Sequence, residues 1–159
     1  MGCPMKRMLL ISMVCLLSLP VWSQSPDNPA YLLQLSEKKY ALKSDGIKMM
    51  SWVVYRKGGK SVKKQADFLV SKGILKQEDI KNLDKRMTKG FLSKLIMNSL
   101  SLSGGVGYSI FGGERYAYRE CHFEGFFGSR RGNSYQYLSG GLLLTVVRRV
   151  ENRIIKKAK

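Results

Sequence analysis

Residue types able to do covalent chemistry sit together at Glu120-Cys121-His122-Phe123-Glu124, which holds the only histidine of the chain. A nucleophile needs its base within hydrogen-bond reach. Neighbours on a helix point about 100° apart, so Cys121 and His122 are badly placed to act as a pair. A small envelope enzyme would have to bring His122 and Glu120 or Glu124 onto a distant group in a pocket. One His and one Cys are too few for a structural zinc site. The expectation is a structural His122, with no catalytic residue, no metal ligands and no cofactor. Gly104-Gly105-Val106-Gly107 has the glycines of a phosphate-cradling loop but neither the Gly-Lys-Ser/Thr ending nor the strand before it. No spaced pair of carboxylates suggests hydrolysis.

Binding is better supplied. Arg56, Lys57, Lys60, Lys63 and Lys64 gather around the Gly58-Gly59 turn, beside Tyr55. Arg130 and Arg131 flank a polar loop with Tyr135 and Tyr137. Arginine beside tyrosine combines stacking with bidentate hydrogen bonding, which suits saccharides and phosphates. The chain has 28 basic and 11 acidic side chains, a formal net charge of +17. Such a charge attracts polyanions.

The elements that must position these residues follow an N-terminal leader. Lys6 and Arg7 precede the apolar run Met8–Leu19, Pro20 ends it, and Val21-Trp22-Ser23 suits cleavage before Gln24. Residues 1–23 therefore read as a secretory signal peptide, too short for a span of about 20 apolar residues. Without it the net charge is still about +15, and Cys121 is the single cysteine left. Export sets the partners: an envelope protein or an acidic cell-wall polymer, no nucleic acid, and no transmembrane span in the mature chain.

After a linker at 24–29, the pattern predicts a small, mostly α, basic helical domain over 30–152 and a basic tail at 153–159. Asn28-Pro29 opens a short helix. Ser44, Thr88 and Ser139 are read as helix-cap hydroxyls. Ile47, Met50 and Val54 follow the first at helical spacing. Leu92, Leu95 and Ile96 follow the second, and Leu143, Val146, Val147 and Val150 the third. Met87 with Leu92, and Leu138 with Leu143, are spaced as hydrophobic staples. Residues 101–113 read as a Ser/Gly-rich loop, and Tyr116–Phe123 as a helix. The region 101–138 is also open to short β-hairpins, given its glycines and aromatics.

A repeat runs through this pattern. Lys72-Gly73-Ile74 followed by Thr88-Lys89-Gly90-Phe91 parallels Glu124-Gly125-Phe126 followed by Ser139-Gly140-Gly141-Leu142. Ser44-Asp45-Gly46 opens its helix in the same style. Two helix–loop–helix units result, at about 61–101 and 114–152. This layout resembles a degenerate S-layer homology module, whose first helix ends in Lys-Gly-Ile and whose second begins Thr-Arg-Ala-Glu. The resemblance covers residues 61–152. It implies a helical fold, and binding of anionic wall polysaccharide in which Lys89 stands for the basic residue of the motif. The Glu of the motif is replaced by Phe91 and Leu142.

The sequence thus leads to a non-enzymatic exported envelope protein, in the periplasm or at the wall, with two partner classes. The preferred one is another envelope protein, met through Phe126, Phe127 and the Trp52-Val53-Val54 run. The other is acidic wall polysaccharide or peptidoglycan, bound as in the resembled family.

Overall fold

The computed structural model describes residues 28–59, 61–128 and 132–158. The leader read at 1–23 lies outside them. Among the described residues there are seven helices and no strand. They are α1 (Pro29–Glu37), α2 (Lys43–Tyr55), α3 (Val62–Ser71), α4 (Lys89–Ser99), α5 (Val106–Phe111), α6 (Glu114–Phe123) and α7 (Gly140–Lys157). The mostly α expectation holds. The hairpins considered for 101–138 do not form among the described residues: extended pairing is limited to the isolated bridges Leu42–Arg86 and Thr88–Tyr137.

Local chemistry sets most helix ends. The Thr88 hydroxyl accepts from the Phe91 amide at 3.1 Å, and Ser139 accepts from Leu142 at 3.3 Å. Asn28 caps α1 through Ala30, with Pro29 in the first turn. Helices α3 and α6 end alike. Gly73 (φ +70°) and Gly125 (φ +79°) take the left-handed conformation, which glycine adopts without a Cβ penalty. The next residue closes each turn, Ile74 N–H to Leu69 O at 2.9 Å and Phe126 N–H to Cys121 O at 3.0 Å. That is the Schellman arrangement, and Ile74 and Phe126 are both buried as its apolar contact.

Three departures have clear causes. Ser44 is not a helix cap: α2 begins two residues earlier, with Leu42 at the cap position. Leu42 has no side-chain oxygen, so Asp45, one turn inside, reaches back and accepts the Leu42 amide at 2.9 Å. Residues 106–111, expected as loop, form α5. The tail expected beyond Asn152 is the end of α7, which runs to Lys157 with Lys156 and Lys157 in its last turn, where cations favour the helix dipole.

The three helices α2, α4 and α7 start around one axis. The Met87 amide donates to Ala41 O (2.8 Å), Leu138 to Met87 O (3.0 Å) and Ala41 to Leu138 O (2.8 Å), closing a ring of three. All three side chains are fully buried. The first-turn amides of each helix are then satisfied by the segment leading into the next. Lys43 donates to Lys85 O, Lys89 to Gln136 O and Gly140 to Lys38 O, at 3.0, 2.9 and 2.9 Å. Helix N-termini leave such donors unpaired, and here the neighbouring unit supplies the acceptors. Helix pair α1–α2 joins this ring on the same footing as α3–α4 and α6–α7. Beneath it the core gathers Leu35, Ile47, Met50, Leu69, Phe91, Leu92, Leu95, Ile96 and Leu143, all essentially inaccessible to solvent.

Candidate functional site

The basic residues singled out around Gly58-Gly59 do not converge. Arg56 ends α2 in the left-handed conformation (φ +50°). Its guanidinium lies over Trp52 at 5.5 Å and contacts Glu151 of α7 at 3.4 Å. Lys57 covers the Phe68 ring at 4.1 Å. Lys63 and Lys64 are exposed on α3. Lys60, Arg130 and Arg131 lie outside the described residues. Tyr137 meets Tyr40 edge to face at 5.9 Å, and Arg86 sits over both rings at 4.3 and 5.7 Å. These three residues immediately precede Ala41, Met87 and Leu138, so they form a small cluster beside the ring.

Lys89 and Tyr135 belong to a different place. A cleft of about 920 Å³ opens between α6 and residues 132–135, lined by Arg115, Tyr116, Tyr118, Arg119, His122 and Tyr135 among others. Among the described residues no carboxylate lines it. Arg115 and Arg119 are exposed and one helical turn apart. The opposite wall is held by α4: Gly90 N–H donates to Ser134 O at 2.8 Å and Lys89 N–H to Gln136 O at 2.9 Å. Asn133 Oδ1 accepts the Tyr135 amide at 3.0 Å and tightens the turn. Only glycine allows this approach. A Cβ at position 90 would lie 2.8 Å from Glu114 Cβ and 3.2 Å from Ser134 O. Lys89 Nζ donates to Gln136 Oε1 at 2.7 Å and stands 6.0 Å from the Tyr118 ring. Partial burial lowers the Lys89 pKa.

Two polar atoms at this cleft lack a well-formed hydrogen bond among the described residues, Tyr118 Oη and His122 Nε2, both buried. Burial raises the Tyr118 pKa, while the Gly132 backbone beside its hydroxyl pulls it slightly back. His122 rests its ring edge against Tyr118 at 6.3 Å. The residues that an enzyme would have paired with His122 point elsewhere. Glu120 and Glu124 share a face of α6 that His122, two residues from each, does not. Glu124 is bound to Arg153 at 2.9 Å. Cys121 is fully buried, its thiol pushed up to about 12 by desolvation, and its Sγ lies 3.6 Å from Ser93 O. No group of three or more His, Cys, Asp and Glu among the described residues is placed to hold a metal.

A second, smaller depression differs in charge. Asp45 is buried in it and takes Lys38 Nζ at 2.9 Å and the Tyr31 hydroxyl at 3.2 Å. Burial, then the Asp45 carboxylate, raises the Tyr31 pKa. Burial lowers that of Lys48, whose ammonium lies 5.2 Å from the Tyr31 ring. This is a satisfied structural network.

Compared with protein-family models, with curated proteins and with solved structures, the chain matches none. No helix of the described residues is long and apolar enough to cross a membrane. Arg115, Arg119, Tyr116 and Tyr118 were missed as a site from sequence. Their signal was present, because Arg-Tyr-x-Tyr-Arg puts two arginines at i, i+4 with tyrosines between.

Proposed function

We propose that this chain is a non-enzymatic exported module of the cell envelope that binds an acidic wall polysaccharide in the cleft beside α6. The observation that carries this reading is the composition of the cleft wall, two exposed arginines and three tyrosines with no carboxylate among the described residues. Sugar rings stack on tyrosine and acidic substituents take bidentate hydrogen bonds from arginine. Tyr118 Oη and His122 Nε2 would gain partners from ligand hydroxyls, which offsets their desolvation. Export rests on the leader read at residues 1–23.

The resemblance to S-layer homology modules belongs to the same proposal, and the register of α2 supports it. Leu42-Lys43-Ser44-Asp45 occupies the start of α2 as Thr88-Lys89-Gly90-Phe91 occupies that of α4. Against Thr-Arg-Ala-Glu, Lys43 takes the basic place and Asp45 the acidic one. The competing reading, contact with another envelope protein, loses its named surface. Phe126, Phe127 and Val53 are buried, and Trp52 and Val54 are half-buried.

Sedimentation with isolated peptidoglycan and with acidic wall polymer tests the proposal. Binding is expected to weaken as salt rises, because the contacts are exposed charges, and to be lost in an Arg115→Ala, Arg119→Ala variant. A chain that stays in the supernatant at low salt, or a double variant that binds as well as the parent, returns the choice to a protein partner.

A further inference from the structure

The link between α4 and α6 is unlike the link between α2 and α3. The latter spans residues 56–61 and carries Arg56, Lys57 and Lys60. The former spans 100–113, contains α5, and from Ser101 to Gly113 has no charged side chain, although 25% of the chain is charged. Helix α5 buries none of its residues. Val106, Ile110 and Phe111 are 76%, 67% and 65% exposed. Val106 and Ile110 are one turn apart and share a face.

The helix is nonetheless anchored. The Tyr108 hydroxyl donates to Asn98 Oδ1 of α4 at 2.7 Å, and Phe111 stacks on Tyr116 of α6 at 5.1 Å. Through that stack the apolar surface continues along α6, where Tyr116, Arg119 and Phe123 follow at i, i+3 and i+7. Phe123 is 72% exposed, with the Arg119 guanidinium 5.6 Å from its ring. Arg115 is exposed beside them.

We propose that α5 and this stripe of α6 dock on an anionic lipid surface. Val106, Ile110, Phe111 and Phe123 enter the boundary between headgroups and acyl chains, and Arg115 and Arg119 meet the lipid phosphates. Two properties favour lipid over a protein. Its apolar residues are flanked by the exposed Arg115 and Arg119, which complement an anionic headgroup layer, and the neighbouring carboxylate of Glu120 is turned to Gly105 at the start of α5. Arginine beside phenylalanine also matches the division of an interfacial helix, with the cation at the headgroups and the ring below. The inference needs only that the chain reach a membrane and does not rest on polysaccharide binding.

Backbone hydrogen exchange of the full chain, alone and with vesicles, provides the test. Vesicles of phosphatidylcholine with added phosphatidylglycerol are expected to slow exchange over 104–112 and around Phe123 several-fold, and pure phosphatidylcholine much less. The Val106→Asp, Ile110→Asp variant, which alters no buried residue and no cleft residue, is expected to lose the slowing while its circular dichroism stays that of the parent. Two results overturn the proposal: no slowing over 104–112 with anionic vesicles, or slowing that survives in the double variant. Protection of 104–112 before vesicles are added also overturns it, since another segment or a second copy would then cover the helix. So does slowing by a purified envelope protein but not by lipid.

Discussion

The Ala41 amide donates to the Leu138 carbonyl at 2.8 Å, which joins the first helix pair to the last. These residues are far apart in the chain, so the contact closes a long loop at an entropic cost. Met87 lies between them, donating to Ala41 and accepting from Leu138. Each helix start is thereby completed by another unit, so loss of one start unsatisfies the next. Unfolding is expected to be one cooperative transition, with fluorescence and circular dichroism midpoints coinciding in urea.

The tightest point of this ring is Gly140. Its amide donates to Lys38 O, and a Cβ there would overlap the Leu35 carbonyl. Neither is the flexible end of a side chain, so one backbone must move. Gly140→Ala is expected to destabilise by about 3 kcal/mol or more. Gly141→Ala is the control, because its Cβ would meet Ser36 O at an ordinary 3.6 Å. Replacing that helical glycine is expected to be neutral or to stabilise by up to about 1 kcal/mol. Urea denaturation of both variants measures the contrast.

At Asp45 one side chain serves two roles. It accepts the Leu42 amide and holds Lys38 at the depression beside α1. Asp45→Ala strips the start of α2 of its cap and leaves the Tyr31 hydroxyl without its acceptor. The expected loss is about 1–3 kcal/mol. Asp45→Asn keeps an acceptor oxygen for Leu42 and is expected to lose less. Equal losses in thermal unfolding would mean that the capping bond contributes little.

The same residue explains where the sequence stopped being readable. Thr88 and Ser139 were legible because a hydroxyl sits at the cap itself and an apolar stripe follows. At α2 the cap position is Leu42 and the capping oxygen comes from inside the helix, so Ser44, the nearest hydroxyl, drew the boundary two residues late. The ring could not be read at all. It is made of backbone groups of Ala41, Met87 and Leu138, and backbone bonds leave no mark on side-chain type. Helix α5 has no buried face and hence no apolar period to detect; it is positioned by Tyr108 on Asn98. The lower half of α7 was legible in principle, since Ile154 lies four residues after Val150, but its lysines resemble a solvated tail. The cleft was half visible. Tyr135 stands out in the sequence beside its arginines, and Lys89 next to the cleft stands out in the helix-start motif, while Arg115 and Arg119 fall in a segment whose most distinctive residue is its histidine.

Cys121 offers a prediction about chemistry. Desolvation holds its thiol near 12 against an ordinary 9.0. At pH 8 the native protein would carry about two to three orders of magnitude less thiolate at this position than a free cysteine would. Carboxymethylation mapped to Cys121 should therefore be negligible in the native chain and fast in urea. The sign for stability follows from the raised pKa. The unfolded thiol ionises first, so this contribution is full below pH 9 and is lost as pH rises from 9 towards 12. Rapid native labelling at pH 8 would contradict the burial.

Gly90 connects the ring to the cleft. Its amide holds Ser134, and a methyl group there would push on Glu114 and on the Ser134 carbonyl together. Glu114 cannot retreat freely, because it accepts from the Thr88 hydroxyl at 3.2 Å. The strain would therefore fall on residues 132–135, the wall facing Arg115 and Arg119. Gly90→Ala is expected to destabilise by about 1–3 kcal/mol and to weaken the proposed polysaccharide binding beyond what lost stability explains. Leu69→Ala separates the two effects. Leu69 is fully buried in α3, does not line the cleft, and its truncation should cost about 2–5 kcal/mol. At a temperature where both variants are folded, Leu69→Ala should bind wall polymer like the parent and Gly90→Ala should not. If both bind like the parent, the wall formed by residues 132–135 does not contact the proposed ligand, which would then be held by Arg115 and Arg119 of α6 alone.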